Sequence, residues 1–121
     1  MSKILIVDDS PAQRFSLCKM VEAGGHQPIV ADCGEKALQL AEDDHPAVIL
    51  MDIVMPGMSG YQATRRLHKT ESTRHIPVIF VSTKSGEADR AWGLRQGARE
   101  YVTKPVNSSV LLTAISEAMA A

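Results

Sequence analysis

Three carboxylates, a hydroxyl and an ammonium, spread over almost the whole chain, carry the chemistry this sequence can perform. Asp8 and Asp9 follow the apolar run Ile4-Leu5-Ile6-Val7, and Asp52 follows Val48-Ile49-Leu50-Met51. Ser82 follows Pro77-Val78-Ile79-Phe80-Val81, and Lys104 follows Glu100-Tyr101-Val102-Thr103 and precedes Pro105. Runs of Val, Ile and Leu of this length read as strands buried on both faces of a parallel sheet. Such strands end at one edge, where open α/β folds bind their ligands. Three acids gathered there repel one another. A hard divalent cation with oxygen ligands removes that conflict, and Mg2+ is the expected ion. A hydroxyl and an ammonium beside a metal and a carboxylate are the groups needed to hold three phosphoryl oxygens.

Taken singly, each of these residues has an ordinary structural role. Asp9 or Ser10 can cap a helix that starts near Pro11. A serine after a strand is commonly a turn residue, and a lysine before proline is commonly solvated surface. Ordinary roles do not explain why polar groups stand at the ends of four strands. Successive strand residues point to opposite faces, so Asp8 and Asp9 cannot approach one ion alike. One binds directly and the other acts through water; the spacing leaves open which.

The elements that must position these residues alternate strictly. Strands are expected at Lys3–Val7, Gln27–Ala31, Val48–Met51, Pro77–Val81 and Glu100–Thr103. Helices are expected near Pro11–Ala23, Gly34–Glu42, Ser59–Lys69, Gly86–Gln96 and Ser108–Ala120. The first helix carries Leu17, Met20 and Val21 on one stripe and stops at Gly24-Gly25, a left-handed C-cap signal. The third opens on Ser59 with Gln62 three residues on, a capping box. Gly97 closes the fourth. The last carries Val110, Leu111, Ala114, Ile115 and Ala118 on one stripe. Alternating β and α elements imply a parallel sheet covered on both faces by right-handed crossovers. The second and fifth strands are shorter and less apolar, which places them at the edges. The chain reads as one domain over residues 1–121, with no room after the fifth helix for an output domain.

Bulk properties narrow the function. A net charge of −1 provides no field to recruit nucleic acid or anionic membrane. No stretch approaches the roughly 20 apolar residues of a membrane span, and residues 1–15 lack the form of a secretory signal. Two cysteines, Cys18 and Cys33, fall in no motif, so a cytoplasmic location with reduced thiols is expected. His26, His45, His68 and His75 form no i, i+4 pair, which argues against a histidine metal site. Met51, Met55 and Met58 flank Asp52 and read as packing. Trp92, the only tryptophan, reads equally as core or as a partner anchor.

At this point the chain resembles the receiver domain of two-component response regulators. The likeness rests on Asp8-Asp9, Asp52, Met55-Pro56-Gly57-Met58-Ser59-Gly60, Ser82 and Lys104-Pro105, and it spans the whole chain. A narrower likeness, to stand-alone receivers of chemosensory systems governing type IV pilus twitching, rests on three stretches. These are Met51-Asp52-Ile53-Val54-Met55-Pro56-Gly57, Tyr61-Gln62-Ala63-Thr64-Arg65, and Trp92-Gly93 with Arg95-Gln96-Gly97-Ala98-Arg99.

The resemblance implies a flavodoxin-like (βα)5 sandwich of three layers with strand order 2-1-3-4-5. It implies that Asp52 accepts a phosphoryl group from a phosphohistidine on a sensor histidine kinase. Asp9, Asp52 and the main-chain carbonyl of Val54 would hold Mg2+, with Asp8 assisting through water. Lys104 would pair with the phosphate across a cis Lys104–Pro105 bond, and Ser82 and Tyr101 would form the switch. The output would be protein binding by a monomer, through the face of the fourth helix, fifth strand and fifth helix. Such a protein accepts a phosphoryl group and catalyses its own phosphorylation and dephosphorylation, and is not a turnover enzyme. Val54, two residues after Asp52, and Lys84, two after Ser82, border the route of an attacking water, and an apolar Val54 points to restricted hydrolysis.

Three other functions compete. A flavin- or nucleotide-binding domain of the same topology needs a first loop rich in backbone donors, whereas Asp8-Asp9-Ser10-Pro11 repels anions and lacks a donor at Pro11. An aspartyl phosphohydrolase usually places nucleophile and acid two residues apart after one strand, whereas Asp52 lies on a different strand from Asp8 and Asp9. A phosphate sink for a shared kinase has the same sequence features as a switch.

Overall fold

The computed structural model describes residues 2–120. Ten elements alternate along the chain. They are β1 (Lys3–Val7), α1 (Pro11–Ala23), β2 (Gln27–Ala31), α2 (Gly34–Asp44), β3 (Val48–Met51), α3 (Gly60–Lys69), β4 (Val78–Ser82), α4 (Glu87–Arg95), β5 (Glu100–Thr103) and α5 (Ser108–Ala120). All neighbouring strands pair in parallel, in the order β2-β1-β3-β4-β5. The two less apolar strands are therefore the edges, and the flavodoxin-like order implied by the resemblance is the order found.

Strand alternation divides the core in two. Leu5, Val7, Ile49, Met51, Val78 and Phe80 face α2 and α3, with Ala37, Ala41, Ala63 and Leu67 packed on them. Ile4, Ile6, Val48, Leu50, Ile79 and Val81 face α1 and α5, where Leu17, Val21, Leu111 and Ile115 cover them. Strands buried on both faces have no polar side to show, which is why β1, β3 and β4 read as unbroken apolar runs.

Helix ends depart from expectation where capping chemistry takes over. Ser59 and Gly86 have extended backbone and are N-caps, so α3 and α4 begin one residue later than the pattern suggests. Both bonds of the Ser59–Gln62 capping box are present. α2 runs two residues beyond Glu42 and stops at His45, whose φ of 46° is left-handed. Gly24 caps α1 with an ordinary φ of −83°, and it is Gly25, at φ 85°, that takes the left-handed turn. β4 starts after Pro77, which has no N–H for the ladder, and extends through Ser82, paired with Thr103. Val110 leaves the expected α5 stripe: in the first turn of that helix, it lies exposed beside Arg90 and Glu100.

Candidate functional site

The C-terminal ends of β1, β3, β4 and β5 lie along one edge of the parallel sheet. Main-chain bonds set their register: Asp52 donates its N–H to Val7, and Lys104 donates its N–H to Ser82. Asp8, Asp9 and Asp52 thereby converge, each offering an oxygen within 4.8 Å of the others. Asp8 is 1 % exposed and Asp52 9 %, whereas Asp9 faces solvent, as opposite sides of one strand end require.

Each buried acid is held in place. Asp8 Oδ1 accepts the Ser10 N–H at 2.9 Å, and Oδ2 lies 2.9 Å from Lys104 Nζ. Asp52 Oδ1 accepts the Ile53 N–H at 2.9 Å and lies 3.6 Å from the same ammonium. Lys104 thus leans on Asp8 more closely than on Asp52. Helix capping falls to Ser10, whose hydroxyl accepts the Gln13 N–H, and neither aspartate is spent on it. The Lys104–Pro105 bond is cis.

Burial raises the Asp52 carboxyl above the usual range, and the Asp8 charge adds to the shift; Lys104 and the Ile53 N–H oppose it. Three carboxylates against one ammonium leave two negative charges, which one divalent cation neutralises. The donor set, all oxygen and partly open to solvent through Asp9, fits a hard cation such as Mg2+. Among the described residues it is the only such cluster of His, Cys, Asp or Glu.

A close approach fixes Asp52 from behind. A Cβ on Gly60 would stand 2.1 Å from the Asp52 carbonyl oxygen, so only glycine lets the start of α3 seat here. Gly60 donates its N–H to Ile53. Met51 and Met55 are buried in the core, and Met58 packs against it from the surface, as expected for spacers. Val54 projects outward, 62 % exposed.

Ser82 and Tyr101 meet through the main chain of Lys84. Ser82 Oγ accepts the Lys84 N–H at 3.1 Å, and the Tyr101 hydroxyl donates to the Lys84 carbonyl at 2.6 Å. Tyr101 is inward, 3 % exposed, with its ring edge-on to Phe80. Burial pushes its phenol up, opposed in part by the Ser82 hydroxyl. The ring fits because residue 93 is glycine: a Cβ there would lie 2.8 Å from Tyr101. Trp92 is half exposed, edge-on to Tyr61, and so is neither core nor free.

One participant escapes sequence reasoning. Arg14, on the first turn of α1, donates Nη1 to the Asp8 carbonyl oxygen at 2.7 Å. The β1–α1 loop has no phosphate cradle: the Asp8, Ser10 and Gln13 N–H groups are bonded within the protein and Pro11 has none. That geometry disfavours a flavin or nucleotide at this loop.

A parallel α/β sheet with paired acids, a hydroxyl and a lysine at its strand ends defines a phosphoacceptor module of signalling proteins. The chain belongs to the response regulator receiver domain family, whose model matches residues 4–116. It is 52 % identical over 120 residues to Protein PilH of Pseudomonas aeruginosa, covering 99 % of both chains. Among solved structures it is similar to chemotaxis protein CheY4 of Vibrio cholerae, with TM-score 0.90, 26 % identity and 98 % of each chain covered. It is also similar to the receiver domain of the sensor histidine kinase PA1611 of P. aeruginosa, with TM-score 0.91 and 28 % identity. That match covers 99 % of this chain and 98 % of the other, which has a magnesium ion coordinated in its active-site cleft. Members of this family are signalling phosphoacceptors that work with histidine kinases, not turnover enzymes. Among the described residues, no helix is long and apolar enough to cross a membrane.

Proposed function

We propose that residues 1–121 form one receiver domain in which Asp52 accepts a phosphoryl group from a phosphohistidine on a chemotaxis-type sensor kinase. The single observation that carries this reading is the convergence of Asp8, Asp9 and Asp52 within 4.8 Å, with Lys104 beside them. Asp9, Asp52 and the Val54 carbonyl would hold Mg2+, with Asp8 contributing through water. When bound, the ion would neutralise charge developing on the transferring phosphoryl oxygens.

A carboxylate oxygen of Asp52 attacks phosphorus in line with the leaving imidazole. The P–N bond breaks and its electron pair departs on the imidazole nitrogen. Lys104 supplies the positive charge that this anionic approach requires. Ser82 keeps its oxygen on the Lys84 N–H and turns its own O–H toward a phosphoryl oxygen. That pull acts on the Lys84 main chain, whose carbonyl anchors Tyr101. Site occupancy is thereby coupled to α4 and β5, with linkage on the order of 1–3 kcal/mol. The output is protein binding on the α4–β5–α5 face by a cytoplasmic monomer. The acyl phosphate is lost by water attack, slowed by Val54 at the mouth.

The resemblance to stand-alone pilus chemosensory receivers, with the identity to Protein PilH, supports a place in type IV pilus twitching or a similar chemotaxis-like pathway. The test is acetyl phosphate labelling. Wild type is labelled with Mg2+ present, and both Asp52→Asn and chelation abolish the label. Full labelling of Asp52→Asn removes Asp52 as the acceptor.

A further inference from the structure

One groove lies away from the acid cluster, yet shares the β3–α3 loop with it. A depression of about 470 Å³ is lined by Gly57 and Met58 of the β3–α3 loop, Glu35 of α2, and Gln62, Arg65, Arg66 and Lys69 of α3. Its polar lining consists almost wholly of donors. Gln62 spends its carbonyl oxygen on the Ser59 N–H, which leaves its amide nitrogen without a partner among the described residues. Arg66 and Lys69 form no ion pair among the described residues, and Arg65 donates to Gln96. α3 holds no acid at all, in a chain whose net charge is only −1. Unpaired donors of one sign on a nearly neutral protein mark a surface shaped for acceptors.

We infer that this groove docks an extended acidic segment of a partner protein, its carboxylates pairing with Arg66 and Lys69 and its apolar positions resting on Met58. Three features select a peptide over a small anion. Gln62 and Lys69 are seven residues apart on one helix, about 10 Å at 1.5 Å per residue. A single phosphate reaches one end of that span. An extended segment covers that span in about three residues, at roughly 3.3 Å each, and reaches both ends. Glu35 on the wall repels a concentrated dianion but tolerates spaced single charges. The groove is also open, which suits a segment passing through.

Met58 seats against Gly34, where a Cβ would come within 2.9 Å, and it continues the loop that leaves Asp52. A docked segment would therefore press on the loop that supplies the Val54 carbonyl; this consequence rests on the phosphoacceptor reading, whereas the docking does not.

The test titrates 15N-labelled full chain with a synthetic eight-residue peptide of alternating Glu and Ala, at low and high salt. Expected are saturable amide shifts centred on Gly57, Met58, Gln62 and Lys69, and at least tenfold weaker binding at high salt. Arg66→Glu/Lys69→Glu abolishes those shifts while acetyl phosphate labelling persists. No shifts at millimolar peptide, unchanged binding by the double variant, or equal competition from inorganic phosphate overturns the proposal. Loss of labelling in wild type would overturn the phosphoacceptor reading instead.

Discussion

Lys104 and Asp8, 96 positions apart in the chain, form the tightest buried ion pair of the site, at 2.9 Å with both side chains almost wholly out of water. Asp52 takes only the looser 3.6 Å contact. Lys104 is thus a structural counter-ion to Asp8 first and to Asp52 second. Removing one partner of a buried pair strands the other. Lys104→Met is expected to cost about 3 kcal/mol of folding stability in chelator, with part of the loss restored by millimolar Mg2+. Urea denaturation with and without the ion measures both. Equal loss in the two conditions would mean that the ammonium does not share its charge task with a cation.

Asp52 sits in a site that disfavours its charge. Its pKa in the fold is raised, chiefly by burial and then by Asp8. A raised carboxyl contributes stability that is complete below its unfolded pKa, near 4, and is lost as pH climbs through the folded value. Asp52→Asn escapes that loss. In metal-free buffer the variant is expected to match wild type at pH 4 and to exceed it at pH 7 by about 1 kcal/mol, or about 4 °C in Tm. Paired thermal melts across that range supply the comparison, and a variant no more stable at pH 7 contradicts the electrostatic account.

Gly60 is where the fold and the site press hardest on each other. A Cβ there meets the Asp52 carbonyl oxygen at 2.1 Å and the Ile53 Cα at 2.9 Å, both main chain with little room to yield. Gly60→Ala is expected to cost about 2 kcal/mol and to slow acetyl phosphate labelling by shifting Asp52. Crowding at Gly25, where nothing lies within 4 Å, is absent, so Gly25→Asn serves as a control that leaves labelling intact.

Much of this architecture was legible because strand burial and pocket chemistry both write themselves into residue type. Apolar runs locate β1, β3 and β4, and the acids that follow β1 and β3 mark where those two strands leave the sheet. What stayed hidden depends on side-chain reach across elements. Arg14 looks like an ordinary polar residue of α1, and only the close packing of α1 on β1 reveals that it holds the Asp8 carbonyl. Lys84 reads from its spacing as a border of the site, but it is its main chain that does the bonding. Exposed Val110 shows the opposite limit: a helical stripe names a face, not the extent of the sheet that covers it.

Tyr101 bears on how a switch variant is chosen. Its ring is buried against Phe80, so Tyr101→Ala opens a cavity and is expected to cost about 3 kcal/mol. Weak partner binding by that variant would then mix misfolding with signalling. Tyr101→Phe keeps the ring and deletes only the hydroxyl bond to the Lys84 carbonyl, at about 1 kcal/mol. With that bond gone, the ring at position 101 no longer feels Ser82 through the Lys84 main chain. Labelling of Tyr101→Phe by acetyl phosphate is expected to equal wild type. The amide shifts that phosphorylation induces in α4 are expected to shrink by half or more, read by NMR with beryllofluoride as the phosphate mimic. Undiminished α4 shifts in Tyr101→Phe would show that the signal leaves the site by another route.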